Sequence, residues 1–248
     1  MLWIIHQFAE EFRDHALLKG GMQLMLLSSD RATNDLDYVF SPFASKKAIE
    51  PDIDCILAKI PGVSIQKSFH SNSGRYLVRA GRAEIQIEYN VAESMPSTTL
   101  TTQLLAQRVG ALPRIIRVMS NDVAFAHKLA AWNERRLMRD LYDCYYWYVN
   151  VKTMPHADVL QSRLRSINSR LPALKKTKSM TMDEFLHQLD VAVNQATEMI
   201  FLDQLSPLLP RAKLEGLFSV FQVQMRELVG QLRRSPIYTW MPKALDPA

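Results

Sequence analysis

Every strand signal in the 248-residue chain falls before residue 120, and from Asp122 onward the pattern is helical throughout. Runs of strands followed by runs of helices argue for an α+β chain or for two separate domains. Residues 36–40, 63–69, 75–79, 84–89 and 114–119 are short, partly β-branched or aromatic runs bounded by turn formers, which is how strands read. The fourth alternates, with Glu84, Gln86 and Glu88 on one face and Ile85, Ile87 and Tyr89 on the other. Helical spacing predicts a helix over 2–18, a break at Gly20-Gly21, a second helix over 22–27 and a third over 45–60 that Pro61-Gly62 stops. Further on, 123–132, 137–149, 157–167, 182–200 and 213–232 read as helices, with Pro155, Pro172, Pro207, Pro210 and Pro236 between them. The expectation is a mixed-sheet domain with flanking helices over 1–118 and an all-helical domain over 119–248.

Composition excludes several classes. At 48% hydrophobic and 22% charged, the chain is globular rather than disordered. No apolar run reaches the roughly 18 residues of a membrane span, and His6, Glu10 and Glu11 in the opening segment are unlike an export signal, so a cytoplasmic protein with no membrane partner is expected. Two cysteines, Cys55 and Cys144, make neither a disulfide scaffold nor a CxxC site and are expected to be reduced and packed in the interior. The six histidines show no HxxxH or HExxH spacing, and there is no GxSxG. The net charge of +5 is concentrated in 151–179, where Lys152, Arg163, Arg165, Arg170, Lys175, Lys176 and Lys178 face one acid, Asp158. Such a stretch either tracks an RNA backbone or forms a solvated helix face. The aromatic run Tyr142, Tyr145, Tyr146, Trp147 and Tyr148 reads as core packing before base stacking.

Chemistry points to the front half. Asp35 and Asp37, two apart at the start of a strand, project from one face with Cα atoms roughly 6.5 Å apart. Carboxylates so placed suit magnesium, which binds carboxylate and phosphate oxygens and can clamp an in-line phosphoryl displacement. Spacing alone does not single this pair out, since Asp52 and Asp54 repeat it at a helix start. A third carboxylate from a neighbouring strand would help, and Glu88 is the choice, with Glu84 on the same face as its substitute. Upstream, Lys19-Gly20-Gly21-Met22 sets two glycines before a helix, either as a linker or as a turn whose backbone amides face a phosphate.

The stretch LKGGMQLMLLSSDRATNDLDYVF resembles the first motif of the AbiEii family of nucleotidyltransferase-like toxins, distant members of the DNA polymerase β superfamily. In that motif a Lys-Gly-Gly turn precedes Arg-x-Ser/Thr-x-Asp-Ile/Leu-Asp, matched here by Arg31, Thr33, Asp35, Leu36 and Asp37. A second block, AHKLAAWNERRLMRDLYDCYYW, is similar to the family's Lys-Leu helix and its Arg-Asp-Leu-x-Asp, giving Lys128, Leu129, Arg139, Asp140, Leu141 and Asp143. The resemblance implies a nucleotidyltransferase-like sheet and a magnesium (or manganese) site on Asp35, Asp37 and Glu88. It further implies that Glu88 helps deprotonate an acceptor hydroxyl and that Lys128 neutralises triphosphate charge. Gly20, Gly21, Arg31, Thr33, Arg139, Asp140 and Asp143 would contact substrate, although Asp140 and Asp143 read equally well as ion-pair partners. A nucleoside triphosphate, a tRNA or other RNA acceptor and a cognate antitoxin are the implied partners. One departure stands out: the family usually has Ser or Thr after the second glycine, and this chain has Met22, whose thioether donates nothing. A catalytically inactive binding module and a transferase acting on a small molecule therefore stay open beside the toxin reading.

Overall fold

The computed structural model describes residues 1–27, 29–70 and 73–239. The chain divides into two compact units, Met1–Ser120 and Asn121–Ala248. The first holds, in order, helix α1 (Leu2–Phe12), strand β1 (Ala16–Lys19), α2 (Gly20–Leu26), β2 (Asp35–Phe40), α3 (Glu50–Ala58), β3 (Ser64–Phe69), β4 (Gly74–Ala80), β5 (Ala83–Val91), β6 (Ser97–Thr101), α4 (Gln103–Arg108) and β7 (Ile115–Met119). The seven strands form one mixed sheet in the order β3-β4-β5-β2-β1-β7-β6. β2 runs parallel to β5, and β1 parallel to β7; the other neighbouring pairs are antiparallel.

α1 buries Ile4, Ile5, Phe8 and Phe12 and ends there because Arg13 takes a positive φ of 50°. The helix expected to run on to residue 18 is thus cut short, and Ala16, Leu17 and Leu18 belong to β1 near the centre of the sheet. A strand buried on both faces shows no alternation, which is why its apolar run is indistinguishable from a helix continuation. β6 gave no signal either, since Ser97, Thr98, Thr99 and Thr101 leave Leu100 as its one apolar residue at the sheet edge. One core joins α1 and α3 to the inward residues Leu36, Tyr38, Phe40, Tyr76, Ile87 and Tyr89, and Met22 lies within it.

The second unit is helical over its described residues: α5 (Asn121–Arg135), α6 (Met138–Val149), α7 (Ala157–Arg165), α8 (Met182–Gln195), α9 (Glu198–Leu205), α10 (Arg211–Leu214), α11 (Leu217–Arg234) and α12 (Pro236–Thr239). The helix expected over 182–200 is two, because Ala196 is extended and the Thr197 side chain caps α9 at the Ile200 amide. Trp132, Trp147, Phe185, Phe201 and Phe221 are fully buried, and Tyr142, Tyr145 and Tyr146 are buried with them, so the aromatic run of α6 is packing. Cys144 is buried as expected, whereas Cys55 is exposed on α3. No helix among the described residues is long and apolar enough to cross a membrane.

Candidate functional site

β2 alternates with Leu36, Tyr38 and Phe40 pointing into the core, which turns Asp35 and Asp37 to the opposite face of the sheet. Parallel pairing with β5 sets Leu36 opposite Ile87, both fully buried, so the next pair in register, Asp37 and Glu88, also shares a face. Asp35 stands opposite Gln86. The register thus brings Asp35, Asp37 and Glu88 onto one surface and leaves Glu84 beyond the paired part of β2. Glu84 is bonded instead to Arg79 at 2.6 Å.

Pairing also extends this row across four strands. Lys19 of β1 lies opposite Asp37, and Arg75 of β4 opposite Glu88, giving the sequence Lys19, Asp37, Glu88, Arg75 across the sheet. Two carboxylates side by side are destabilising, and cations at either end of the row offset that repulsion. Arg75 donates to Glu88 Oε2 at 3.1 Å with both side chains well exposed to water. Such an exposed pair is worth about 0–1 kcal/mol, so Glu88 is held loosely enough to exchange partners. Neither Lys19 nor Arg75 is legible as a site residue from local sequence, because only the long-range register aligns them with the acids.

The glycine pair packs directly on this row. Gly20 has φ +72°, and a Cβ there would run into the Asp37 carboxylate. A Cβ on Gly21 would meet the Arg31 guanidinium and come within 3.3 Å of Thr33 Oγ1. Only glycine lets the backbone turn this tightly against those side chains. Arg31 is buried, its amide donating to Ser29 Oγ, and the Thr33 hydroxyl accepts the Asp35 amide at 3.2 Å. Gly20, Gly21, Arg31, Thr33 and Asp37 therefore form one contact group, with Asp35 and Glu88 beside it on the same face. Met22, the residue after the glycines, is 0% exposed and contributes to the core instead.

The donor set is all carboxylate oxygen, which suits magnesium or manganese and not a thiolate-seeking metal. Among the described residues no three His, Cys, Asp or Glu side chains close into a metal cage. Magnesium does not require one, since it keeps several waters and is bound through one or two carboxylates together with substrate phosphates.

In the second unit Lys128 on α5 is 2.7 Å from Asp143 Oδ2 and 3.5 Å from Asp140 Oδ1, both on α6. Asp143 is 0% and Asp140 1% exposed, while Lys128 is 17% exposed. Arg135 adds a two-pronged grip on Asp140, with Nε at 3.1 Å and Nη2 at 2.7 Å. Arg139 is on the exposed side of α6, away from this cluster's buried carboxylates. Burial, reinforced by Asp140 and Asp143, pushes the Cys144 thiol up, so it stays protonated and unreactive.

The sequence model of the family described as "Nucleotidyl transferase AbiEii toxin, Type IV TA system" matches residues 6–215. Among solved structures, the MenT4 nucleotidyltransferase toxin Rv2826c from Mycobacterium tuberculosis H37Rv is 16% identical, with a TM-score of 0.59 over 97% of this chain and 82% of that one. JHP933 from Helicobacter pylori is 15% identical, with a TM-score of 0.49 over 94% of this chain and 90% of that one. At these identities the first likeness speaks to the fold alone. No curated protein matches the chain.

Proposed function

The chain belongs to the AbiEii family of nucleotidyltransferase toxins of type IV toxin-antitoxin systems, and from that membership we propose that it moves a nucleoside monophosphate from a triphosphate to a hydroxyl on RNA, with magnesium or manganese as the metal. The observation that carries this reading is the close packing of Gly20 on the Asp37 carboxylate, directly opposite Glu88 in the strand register. A backbone turn packed against a carboxylate and a guanidinium, beside a face of further carboxylates, is an arrangement that metal-assisted phosphoryl chemistry can use.

Asp35 and Asp37 would hold the metal, which when bound neutralises charge on the transferring phosphate. Gly20 and Gly21 let Asp37 and Arg31 close onto the backbone turn, and Arg31 and Thr33 offer a cation and a hydroxyl to the phosphates. Glu88 takes the proton of the acceptor hydroxyl, whose oxygen forms a bond to the α-phosphorus as the bond to the β-phosphate bridge breaks and pyrophosphate leaves. The family block alone assigns Lys128, Arg139, Asp140 and Asp143 to substrate, whereas the pairing of Lys128 with the buried Asp140 and Asp143 favours the ion-pair reading of those two acids. The reaction is read as cytoplasmic because triphosphates and RNA are there, and the toxin membership calls for a cognate antitoxin.

The test incubates purified protein with magnesium, each labelled triphosphate in turn and total cellular RNA, beside an Asp35→Ala, Asp37→Ala double variant. Label carried into RNA by the parent and not by the variant is the expected result. Nucleotide retained without transfer, or label transferred equally by the variant, overturns the reading.

A further inference from the structure

The segment between α7 and α8 is built as a closed cationic loop. Its two limbs are tied by backbone bonds, Met180 N to Leu164 O and Ile167 N to Lys178 O, both 2.9 Å. Leu164, Ile167, Leu174 and Met180 are buried beneath it. Arg165, Arg170, Lys175, Lys176 and Lys178 are exposed above, in a stretch, 159–182, that contains no acidic residue. Among the described residues of 151–180 there is no exposed large hydrophobic side chain.

The root of this loop is pinned to α5, the helix that bears Lys128. Arg163 reaches His127 Nδ1 at 3.1 Å and donates to Glu134 Oε1 at 2.9 Å. Asn168 N donates to the same Glu134 oxygen at 3.3 Å, and Ser169 Oγ to the Glu134 carbonyl at 2.6 Å. His127 and Glu134, seven apart, share one face of α5, and Lys128 is the neighbour of the first. Arg163 is thereby consumed as an anchor, which separates it from the exposed cations of the loop.

We propose that the loop over 164–180 is the platform on which the sugar-phosphate backbone of the RNA acceptor docks. This rests on the nucleotidyltransferase reading for the identity of the docked molecule as acceptor. Protein interfaces centre on hot spots enriched in Trp, Tyr and Arg, and amphipathic membrane contact joins attraction to anionic lipid with apolar insertion; this loop exposes neither an aromatic anchor nor a large apolar group to insert. A surface of cations without either matches a phosphate backbone, whose contacts are polar, positively charged and accompanied by counterion release.

The test measures binding of a labelled single-stranded RNA, and separately of magnesium with a fluorescent triphosphate, across about 50 to about 200 mM salt. The variants are the triple Lys175→Gln, Lys176→Gln, Lys178→Gln and, on the other limb, the pair Arg165→Gln, Arg170→Gln. Thermal melts confirm that each is folded. Losing three phosphate contacts should flatten the slope of log affinity against log salt by about 2 and weaken RNA binding at least tenfold at low salt, with triphosphate affinity unchanged. The pair should act in the same direction with a smaller change in slope. RNA affinity and slope unaltered in both variants, or a parent whose RNA binding ignores salt, overturns the proposal. Polyglutamate bound as tightly as RNA, and lost in the same variants, also overturns it in favour of an acidic protein. A parent that binds RNA through this loop yet transfers no nucleotide leaves the docking surface standing and removes the nucleotidyltransferase reading.

Discussion

Replacing Gly20 by alanine separates two costs that coincide at this position. The first is backbone: a non-glycine residue at positive φ is disfavoured by about 1–2 kcal/mol. The second is the contact between the new Cβ and the Asp37 carboxylate, which must be relieved by an off-rotamer aspartate or a shift of β2, at about 1–3 kcal/mol. Gly62 and Gly81 serve as controls, because they have φ of +63° and +57° with nothing within 4 Å of an added Cβ. Their alanine variants should lose about 1–2 kcal/mol and Gly20→Ala about 2–5 kcal/mol. With an unfolding entropy of about 2.1 cal/mol/K per residue, a unit of about 120 residues loses about 4 °C per kcal/mol. The expected falls in Tm are therefore about 4–8 °C for the controls and about 8–20 °C for Gly20→Ala. Calorimetry or denaturant titration reads the stability, and binding of magnesium with a triphosphate reads the site, where Gly20→Ala should lose at least tenfold as Asp37 is displaced. Repeating Gly20→Ala in an Asp37→Ala background removes the contact, so the two changes should couple by about 1–3 kcal/mol. If Gly20→Ala is no costlier than Gly62→Ala and shows no coupling to Asp37, the packing of the glycine turn on the carboxylate is refuted.

Asp143→Asn should cost about 3–5 kcal/mol in urea unfolding because it takes the 2.7 Å partner from Lys128 and leaves it the longer 3.5 Å contact to Asp140, which Arg135 already holds, while the double variant Lys128→Met, Asp143→Leu should recover most of that loss; equal instability of both would contradict a buried ion pair. Burial pushes the Tyr38 and Tyr76 phenols up and that of Tyr89 to about 12, so the folded chain holds protons that the unfolded chain releases near pH 10. Stability is unaffected below that pH and falls above it by about 1.4 kcal/mol per pH unit for each phenol, about 4 for the three, and tyrosinate absorbance should rise together with unfolding rather than ahead of it. Met22→Ser, which restores the residue type the family usually carries, should destabilise the first unit by about 2–5 kcal/mol and raise neither triphosphate affinity nor transfer, because it trades a buried thioether for a cavity and a buried hydroxyl. A gain in affinity without loss of stability would count against the buried position of this side chain.

What local sequence could reveal depended on how far apart the determining residues lie. The period of two in β5 sends Ile87 and Tyr89 inward and Glu88 outward, and the i, i+2 spacing of Asp35 and Asp37 puts them on one face without further information. Glu88 stands ahead of Glu84 already by its place near the end of an alternating strand, but that it lies directly opposite Asp37 comes only from the parallel register of β2 and β5, which no short window contains. Arg75 is hidden for the same reason, and Lys19, visible as the first residue of the Lys-Gly-Gly turn, is set opposite Asp37 only through strand pairing. β1 was hidden by its own burial, since Ala16, Leu17 and Leu18 are apolar on both faces. β6 lacked any apolar pattern to see. The break between α8 and α9 turns on the backbone of Ala196 and a Thr197 cap in a stretch whose apolar spacing continues across it. In the second unit the pairing of Lys128 with Asp143 could be anticipated only as one of two readings, because helical spacing puts the acids on a face without saying what packs against it.

The side chain after Gly21 decides how the absent Ser or Thr should be weighed. Had Met22 projected toward the carboxylate face, a thioether would stand where phosphate oxygens need donors, and an inert site would be the natural conclusion. It is instead sealed in the core with Leu18, Leu36 and Ile116, so it neither helps nor obstructs that face. The hydroxyl nearest the glycine turn then belongs to Thr33, placed by its contact distance to Gly21. Accepting the Asp35 amide uses one of that oxygen's lone pairs and leaves its O–H to donate elsewhere. The polar duties of the turn thus pass from the helix start to the segment leading into β2, and that segment also carries Arg31 against Gly21. Because Arg31, Thr33 and Asp37 pack on the same turn and Asp35 shares the sheet face of Asp37, all within seven residues, the fold keeps a donor, a cation and two carboxylates together with a core residue at position 22.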